Sequence, residues 1–118
     1  MSTNELQIVV TQGDETAILS LSGRVSVNSS PTLRNRLLAV LRSGESATVI
    51  VDFTKSPSVD CSGIATLIEG LKIARNHNVA LRLTGLQGRL KNLFEVTGVL
   101  FLFEGSLHTT GSLTSKVL

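Results

Sequence analysis

The sequence predicts an α/β fold in which an N-terminal β-hairpin precedes alternating helices and strands. Two observations lead to this prediction. Short apolar, β-branched runs, the clearest at residues 47–51, are typical of strands covered on both faces. Longer segments between them carry apolar residues at helical spacing, as in Ile64, Leu67, Ile68 and Leu71. Alternating strands and helices imply a mixed, mostly parallel sheet with helices packed on it.

The first predicted element is the hairpin. Its strands are expected at residues 5–10 and 16–21, because both runs alternate apolar and polar residues. Residues 12–14 supply turn chemistry between them, and Ser22 and Gly23 end the second strand.

A helix is predicted next. Ser29 or Ser30 caps its start, and Pro31 is favourable in an opening turn, where a missing N–H is not needed. Gly44 ends the helix, since glycine adopts the left-handed conformation of a helix end without strain.

The central segment combines a buried strand, a tight loop and a second helix. The strand at residues 47–51 is followed by turn residues around Pro57, which has no N–H for a sheet ladder. Asp60 is a good cap for the helix, because its carboxylate accepts from backbone N–H groups of the first turn. Ser62 therefore lies in that turn, just past an interior strand, and Gly63 leaves the approach to its hydroxyl open.

This position gives Ser62 two possible roles. The first turn of a helix has unpaired N–H donors and a partial positive charge, so a phosphate on Ser62 would be well placed there. A serine so modified changes from a small neutral group to a bulky dianion. The simpler role is to satisfy the donors of the helix start, and the residues alone leave both roles open.

The remaining elements follow the helix, which ends near residues 76–78. They are, in order, a strand at 79–83, a turn at 85–88, a short helix around 90–94 that closes near Gly98, and a last strand at 100–103. Residues 104–118 are predicted to form a weak final helix or a frayed tail. The prediction is a single domain over residues 1–118, with its core at about residues 5–103.

Composition and charge exclude several classes of function. The formal net charge of 118 residues is only +2, and the basic residues are scattered among few aromatics, which argues against nucleic-acid binding. Cys61 is the single cysteine, which excludes an internal disulfide and fits a reducing compartment. No apolar run is long enough to span a bilayer, and the N-terminus has no signal-peptide pattern. We therefore expect a cytoplasmic protein without membrane contact.

The sequence carries no pattern typical of an enzyme or a metal protein. His77 and His108 lie far apart and outside any cluster with ligand spacing, so no metal or other cofactor is expected. Ser62 lacks a Gly-x-Ser-x-Gly setting and a histidine placed to act as its base. We predict that Cys61 is a small packing residue in place of serine, although a helix start can lower the pKa of a thiol and activate it.

The segment from the central strand to the run Asp-Cys-Ser-Gly-Ile-Ala-Thr-Leu, residues 60–67, resembles the STAS domain of bacterial anti-sigma factor antagonists. In that family a hydrophobic strand ends near an aspartate, and Asp-Ser-Ser-Gly or a variant opens a helix. The second hydroxyl residue of this motif is the phosphorylated one, and it corresponds to Ser62. Cys61 stands where the first serine is usual.

The resemblance implies a regulatory binding module and not an enzyme. Its unphosphorylated form would bind an anti-sigma factor serine kinase and free the sigma factor; phosphorylation of Ser62 would end binding, and a metal-dependent serine phosphatase would restore it. Asp52 and Asp60 would shape the site. The expected contact surface comprises Arg24, Ser26, Asn28, Ser58, Asp60, Cys61, Ser62, Gly63 and Ala65.

One departure from the family pattern leaves the function open. Many antagonists have Gly-Glu-x-Asp after the hairpin, with the aspartate near the phosphorylated serine. Here Arg24 replaces the glutamate and Ser26 replaces the aspartate. Either Ser26 or Asn28 takes over the polar contact, or phosphorylation is less efficient, or the partner differs. The alternative function is a STAS subunit without a phosphorylation cycle, in a lipid-transport complex or a stress-signalling scaffold.

Overall fold

The computed structural model describes residues 6–99 and 102–103. Its elements, in chain order, are β1 (Gln7–Gln12), β2 (Thr16–Val25), α1 (Ser30–Ser43), β3 (Thr48–Val59), α2 (Cys61–Asn76), β4 (Ala80–Thr84) and α3 (Gly88–Val96).

The strands form one sheet in the order β1-β2-β3-β4. β1 and β2 are antiparallel, as expected for a hairpin, whereas β2, β3 and β4 run parallel. The crossovers contain α1 and α2, because parallel neighbours need a long connection. The predicted fold class is confirmed, and β3 is the interior strand that the apolar run at residues 47–51 indicated.

The core lies on the face of the sheet that the helices cover. Val51 and Phe53 of β3 are buried, whereas Asp52 between them is half-buried on the opposite face, as strand alternation requires. Phe94 of α3 meets Phe53 edge to face, with ring centroids 5.9 Å apart. Helix α3 is therefore fastened to β3 by an aromatic pair.

Both central strands are longer than predicted. We expected β2 to end at Ser22 and Gly23 and β3 to give way to a loop around Pro57, but both strands continue to the pair Val25 and Val59. Two register shifts make this possible, because Leu21 and Gly23 each lie opposite two residues of β3. Ser56 Oγ donates to the Gly23 carbonyl over 2.7 Å at the second shift. A bulge of this kind accommodates a proline within a strand.

The last predicted strand is wrong where the structure tests it. Leu102 and Phe103 have helical backbone, and Leu102 N–H donates to the Gly98 carbonyl. The apolar run of residues 100–103 is too short for periodicity to separate a strand from a buried helical turn. Leu100, Phe101, the first five residues and the predicted tail at residues 104–118 lie outside the described residues.

Candidate functional site

Helix α2 begins as the sequence predicted, with Asp60 as its N-cap. The backbone of Asp60 is extended, and its Oδ1 accepts from the N–H groups of Ser62 and Gly63 over 2.9 and 3.2 Å. These are donors that a helix start leaves without an intrahelical partner. The cap places Ser62 in the first turn.

The same carboxylate holds the loop that joins β2 to α1. Its Oδ2 accepts from Val27 N–H over 3.1 Å, and Asp60 N–H donates to the Val25 carbonyl over 3.0 Å. Ser29 Oγ fastens this loop internally, accepting from Ser26 N–H and donating to the Arg24 carbonyl. Asp60 thus connects two chain segments that are distant in sequence.

The Ser62 hydroxyl lies between two polar partners. Ser62 Oγ donates to Asp60 Oδ1 over 2.6 Å and lies 2.8 Å from Ser30 Oγ. Ser62 is half-buried, whereas Ser30 is only 6% exposed. The phosphoacceptor candidate is therefore partly exposed, and its hydroxyl is held between an exposed side chain, Asp60, and a buried one, Ser30.

We expected a phosphate on Ser62 to use the free N–H donors of the helix start, but the Asp60 carboxylate occupies two of them. Two of the first-turn N–H groups, those of Ser62 and Gly63, already donate to its carboxylate. A phosphate on Ser62 would meet that negative charge, since the two side chains are in hydrogen-bond contact. These two N–H groups are consequently not free to bind a phosphate dianion.

The pKa of Asp60 is lowered from the usual aspartate value. The main cause is the hydrogen bond from the Ser62 hydroxyl, and the backbone N–H groups of Gly63, Ser62 and Val27 act in the same direction against desolvation. All these donors stabilise the ionised form, so Asp60 is a carboxylate at neutral pH.

Gly63 serves packing as well as access. A Cβ at this position would come within 2.6 Å of a Val25 methyl and 2.7 Å of a Val59 methyl. The start of α2 therefore packs directly on the last residues of β2 and β3. The absence of a side chain lets Ser62 lie close to the end of the sheet.

The residues of the predicted contact surface differ in their exposure. Arg24 near the end of β2 and Asn28 in the β2–α1 loop are exposed, and Ser26 is half-buried. Ser58 at the end of β3, Asp60, and Cys61 and Ala65 on α2 are exposed, whereas Gly63 is buried. Cys61 has a free, exposed thiol, so it does not pack inside the domain as we expected of a serine substitute.

The structure separates Asp52 from the candidate site. We expected Asp52 at the end of the central strand, but β3 continues to Val59 and Asp52 lies in its middle. Its Oδ1 accepts from the N–H and hydroxyl of Thr54 over 3.0 and 2.6 Å. Asp52 therefore acts as a local cap on the face of the sheet away from the helices, and the sequence did not reveal the bulges that lengthen β3.

Ser30 is the site residue that sequence reasoning missed. Ser26 and Asn28 were the candidates for the polar contact to Ser62, but Ser26 Oγ accepts from Asn28 N–H over 3.3 Å, and the contact comes from Ser30. The sequence marked Ser30 only as a possible helix cap. Its position at the start of α1, a helix beside α2, was the available signal.

The described residues place no metal or membrane element at this site. Within residues 6–99 and 102–103, no three His, Cys, Asp or Glu side chains are grouped so as to hold a metal ion. His77 instead caps the end of α2, with Nδ1 3.0 Å from the Ile73 carbonyl oxygen. None of the helices in this part of the chain is both long and apolar enough to cross a bilayer.

Comparison with known proteins identifies the family of this chain. The family model of the STAS domain matches residues 7–113, so the chain belongs to the STAS domain family. The anti-sigma-B factor antagonist of Bacillus subtilis (strain 168) is 24% identical over 106 residues, covering 90% of this chain and 95% of that protein.

Solved structures show the same fold. The anti-sigma factor antagonist from Mycobacterium paratuberculosis superposes with a TM-score of 0.75 at 15% identity, covering 86% of each chain. The Bacillus cell fate determinant SpoIIAA in its phosphorylated form gives a TM-score of 0.63 at 16% identity, covering 82% of this chain and 87% of that one. The relatives and structural neighbours thus include anti-sigma factor antagonists.

Proposed function

We propose that this protein is an anti-sigma factor antagonist whose partner binding is controlled at Ser62. The unphosphorylated form binds an anti-sigma factor serine kinase and frees the sigma factor, and phosphorylation of Ser62 ends that binding. The observation that carries the proposal is the position of Ser62 in the first turn of α2, half-buried on a helix start that also presents the exposed Cys61 and Ala65.

The surface around Ser62 is suited to a protein partner that senses charge. Residues from the β2–α1 loop, the end of β3 and the first turn of α2 meet here, and Asp60 hydrogen-bonds two of these segments to each other. A held surface loses little conformational freedom on binding, which favours affinity. The exposed Val27, at 68% of its surface, adds an apolar contact beside the polar ones.

A phosphate on Ser62 would disrupt binding at the interface. Since Asp60 already accepts from Ser62 N–H and Gly63 N–H, the dianion finds those donors occupied and a carboxylate beside it. It therefore projects toward the partner, where it has to be desolvated or paired. Mispairing a buried charge at an interface costs about 2–5 kcal/mol.

In this proposal the chain is a substrate and a ligand, not an enzyme. It works as a single STAS domain in the cytoplasm, where its kinase uses ATP, and it needs no cofactor of its own. A metal-dependent serine phosphatase removes the phosphate and restores binding. The similarity to a named antagonist of Bacillus subtilis and to a structure of phosphorylated SpoIIAA supports this cycle.

The proposal is tested by capture of partners from the native cell. Tagged wild-type protein and Ser62→Ala are used as bait, and bound proteins are identified by mass spectrometry. We expect both to capture a kinase with an ATPase fold, and the purified kinase with ATP to modify wild type but not Ser62→Ala. Recovery of a transporter ATPase with a permease would instead favour a subunit of a lipid-transport complex, and recovery of a scaffold assembly would favour the stress-signalling alternative.

A further inference from the structure

The start of α1 contributes a buried hydroxyl to the candidate phosphorylation site. Ser30 is the first residue of α1, and its Oγ lies 2.8 Å from Ser62 Oγ. Only 6% of Ser30 is exposed, so a binding partner cannot contact it extensively. Its influence on Ser62 has to act from inside the domain.

The protons of the two hydroxyl groups determine how the two serines interact. Each hydroxyl has one proton to donate. Ser62 Oγ donates to the ionised Asp60 carboxylate over 2.6 Å, so the proton between the two serines has to come from Ser30. A charged acceptor makes the stronger hydrogen bond, which fixes this direction.

The Ser26 carbonyl oxygen is a second possible acceptor for the Ser30 hydroxyl, but other donors already bind it. The Ser26 carbonyl oxygen lies 2.8 Å from Ser30 Oγ and is placed to accept a hydrogen bond from it. It already accepts from the N–H groups of Ser29 and Ser30 over 3.0 and 2.7 Å, and a carbonyl oxygen has two lone pairs. The proton of Ser30 is thus available to Ser62.

We propose that Ser30 is a positioning residue for phosphoryl transfer to Ser62. It donates its hydroxyl to Ser62 Oγ and, together with Asp60, holds the phosphoacceptor oxygen in one orientation. This inference rests on the proposed function. It also assigns to Ser30 the polar contact that the replacement of the family aspartate by Ser26 left open.

The orientation matters for the chemical step. Ser62 Oγ attacks the γ-phosphorus of ATP, the new O–P bond forms, and the bond from phosphorus to the β–γ bridging oxygen breaks with its electron pair leaving on ADP. The hydroxyl proton becomes strongly acidic as the oxygen gains phosphorus, and it passes to Asp60 Oδ1, 2.6 Å away, and then to solvent. Ser62 Oγ uses one lone pair to accept the hydrogen bond from Ser30 and donates its proton to Asp60. Its second lone pair therefore remains for the attack.

The test compares the phosphorylation kinetics of variants by the captured kinase. Ser30→Ala should lower kcat at least about tenfold with KM little changed, because misplacement of a reacting group costs rate and Ser30 is buried away from the partner. Ser30→Thr keeps the hydroxyl and should restore the rate; if it does not fold, Ser30→Cys, a weaker donor, should give an intermediate rate. Ser43→Ala, at the other end of α1, is the control and should match wild type.

A second readout on the isolated protein does not depend on the kinase. Three-bond couplings between Hα and Hβ of Ser62, measured by NMR, should indicate one side-chain rotamer in wild type and Ser30→Thr, and averaged rotamers in Ser30→Ala. A fixed rotamer in Ser30→Ala, or equal kcat for Ser30→Ala and wild type, overturns the role of Ser30 while leaving Ser62 as phosphoacceptor. Failure of wild type to be phosphorylated overturns the proposed function itself, and with it the role of Ser30 in the transfer.

Discussion

The helices α2 and α3 both begin after a strand of the parallel sheet, but they begin differently. At α2 the Asp60 carboxylate takes two backbone N–H groups of the first turn and a third from the β2–α1 loop. At α3 the N-cap is Gln87, whose side chain makes no capping hydrogen bond. Helix α3 is held by apolar packing, with Phe94 fully buried against Phe53.

The difference teaches that a helix start alone does not define a phosphate site. If free N–H donors were the requirement, the start of α3 would be the better candidate, since its cap side chain leaves them open. Ser62 is distinguished instead by a hydroxyl held by Asp60 and Ser30 within a surface built from three segments. The carboxylate that organises this surface also makes it unfavourable for a dianion.

The largest expected effect tests the apolar anchoring of α3. Phe94→Ala removes a fully buried ring and should lower the free energy of unfolding by about 3–5 kcal/mol. Urea denaturation measures the change, with Phe94→Leu as the milder control. In the folded variant the amide resonances of Val27 and Ser62 should stay near their wild-type positions, and large shifts there would show that the two helix starts are not independent.

The next prediction concerns the packing under the start of α2. Gly63→Ala places a Cβ against the stiff side chains of Val25 and Val59, and such overpacking should lower the free energy of unfolding by about 1–3 kcal/mol. The higher helix propensity of alanine offsets roughly 1 kcal/mol of this loss. Gly70→Ala is the matched control in the same helix. There the new Cβ comes close, at 2.6 Å, to the flexible end of Leu37 and otherwise makes ordinary contacts at 3.5 Å, so thermal denaturation should show a smaller loss. An equal or smaller loss for Gly63→Ala would contradict the close packing.

A smaller effect, dependent on pH, is expected for the cap itself. Asp60→Asn should destabilise the protein at neutral pH, because the ionised carboxylate accepts from Ser62, Gly63 and Val27. The pKa of Asp60 is lowered in the folded state, so the stability it contributes is present above the ordinary aspartate pKa of about 3.9 and is lost as the pH falls through the folded-state value.

Urea denaturation at several pH values checks this prediction. The difference in unfolding free energy between wild type and Asp60→Asn should therefore shrink toward acid pH. Asp14→Asn, in the exposed hairpin turn, provides a control for the loss of one negative charge. A difference for Asp60→Asn that is constant with pH would contradict the role of its charge.

The smallest effect would make α3 more like α2. The backbone of Gln87 is already extended, with φ −142° and ψ 157°, as an N-cap requires. Gln87→Asp should therefore stabilise the protein by about 1 kcal/mol by satisfying first-turn donors of α3, whereas Gln87→Ala should not. Melting temperatures of the two variants measure this, and a loss of stability with aspartate would show that those donors are not available.

The sequence predicted the helix ends of this domain correctly but not the lengths of its central strands. Asp60 as a cap, Ser62 in the first turn and Gly44 as the end of α1 follow from residues close together in the chain, and all three are confirmed. The lengths of β2 and β3 were missed because the pairing of Val25 with Val59 depends on two register shifts. Such bulges leave no periodic signal in a single sequence.

The contact between Ser30 and Ser62 was missed for a related reason. The two serines are 32 residues apart, and only the packing of α1 against α2 brings their hydroxyls to 2.8 Å. Asp60 was recognised as a cap, but its bond to Val27 N–H crosses a similar distance in sequence. Short-range patterns thus identified the helix start, while the network that holds Ser62 required the fold.

Titration calorimetry of the captured kinase against the unphosphorylated and the Ser62-phosphorylated protein tests the central claim most directly. Phosphoserine is incorporated at position 62 during synthesis, so the comparison does not depend on the efficiency of the kinase. We expect the unphosphorylated protein to bind and the phosphoprotein to bind about thirty- to several-thousand-fold more weakly, as a mispaired interfacial charge predicts. Equal affinities of the two forms, with both proteins folded, would contradict control of partner binding at Ser62.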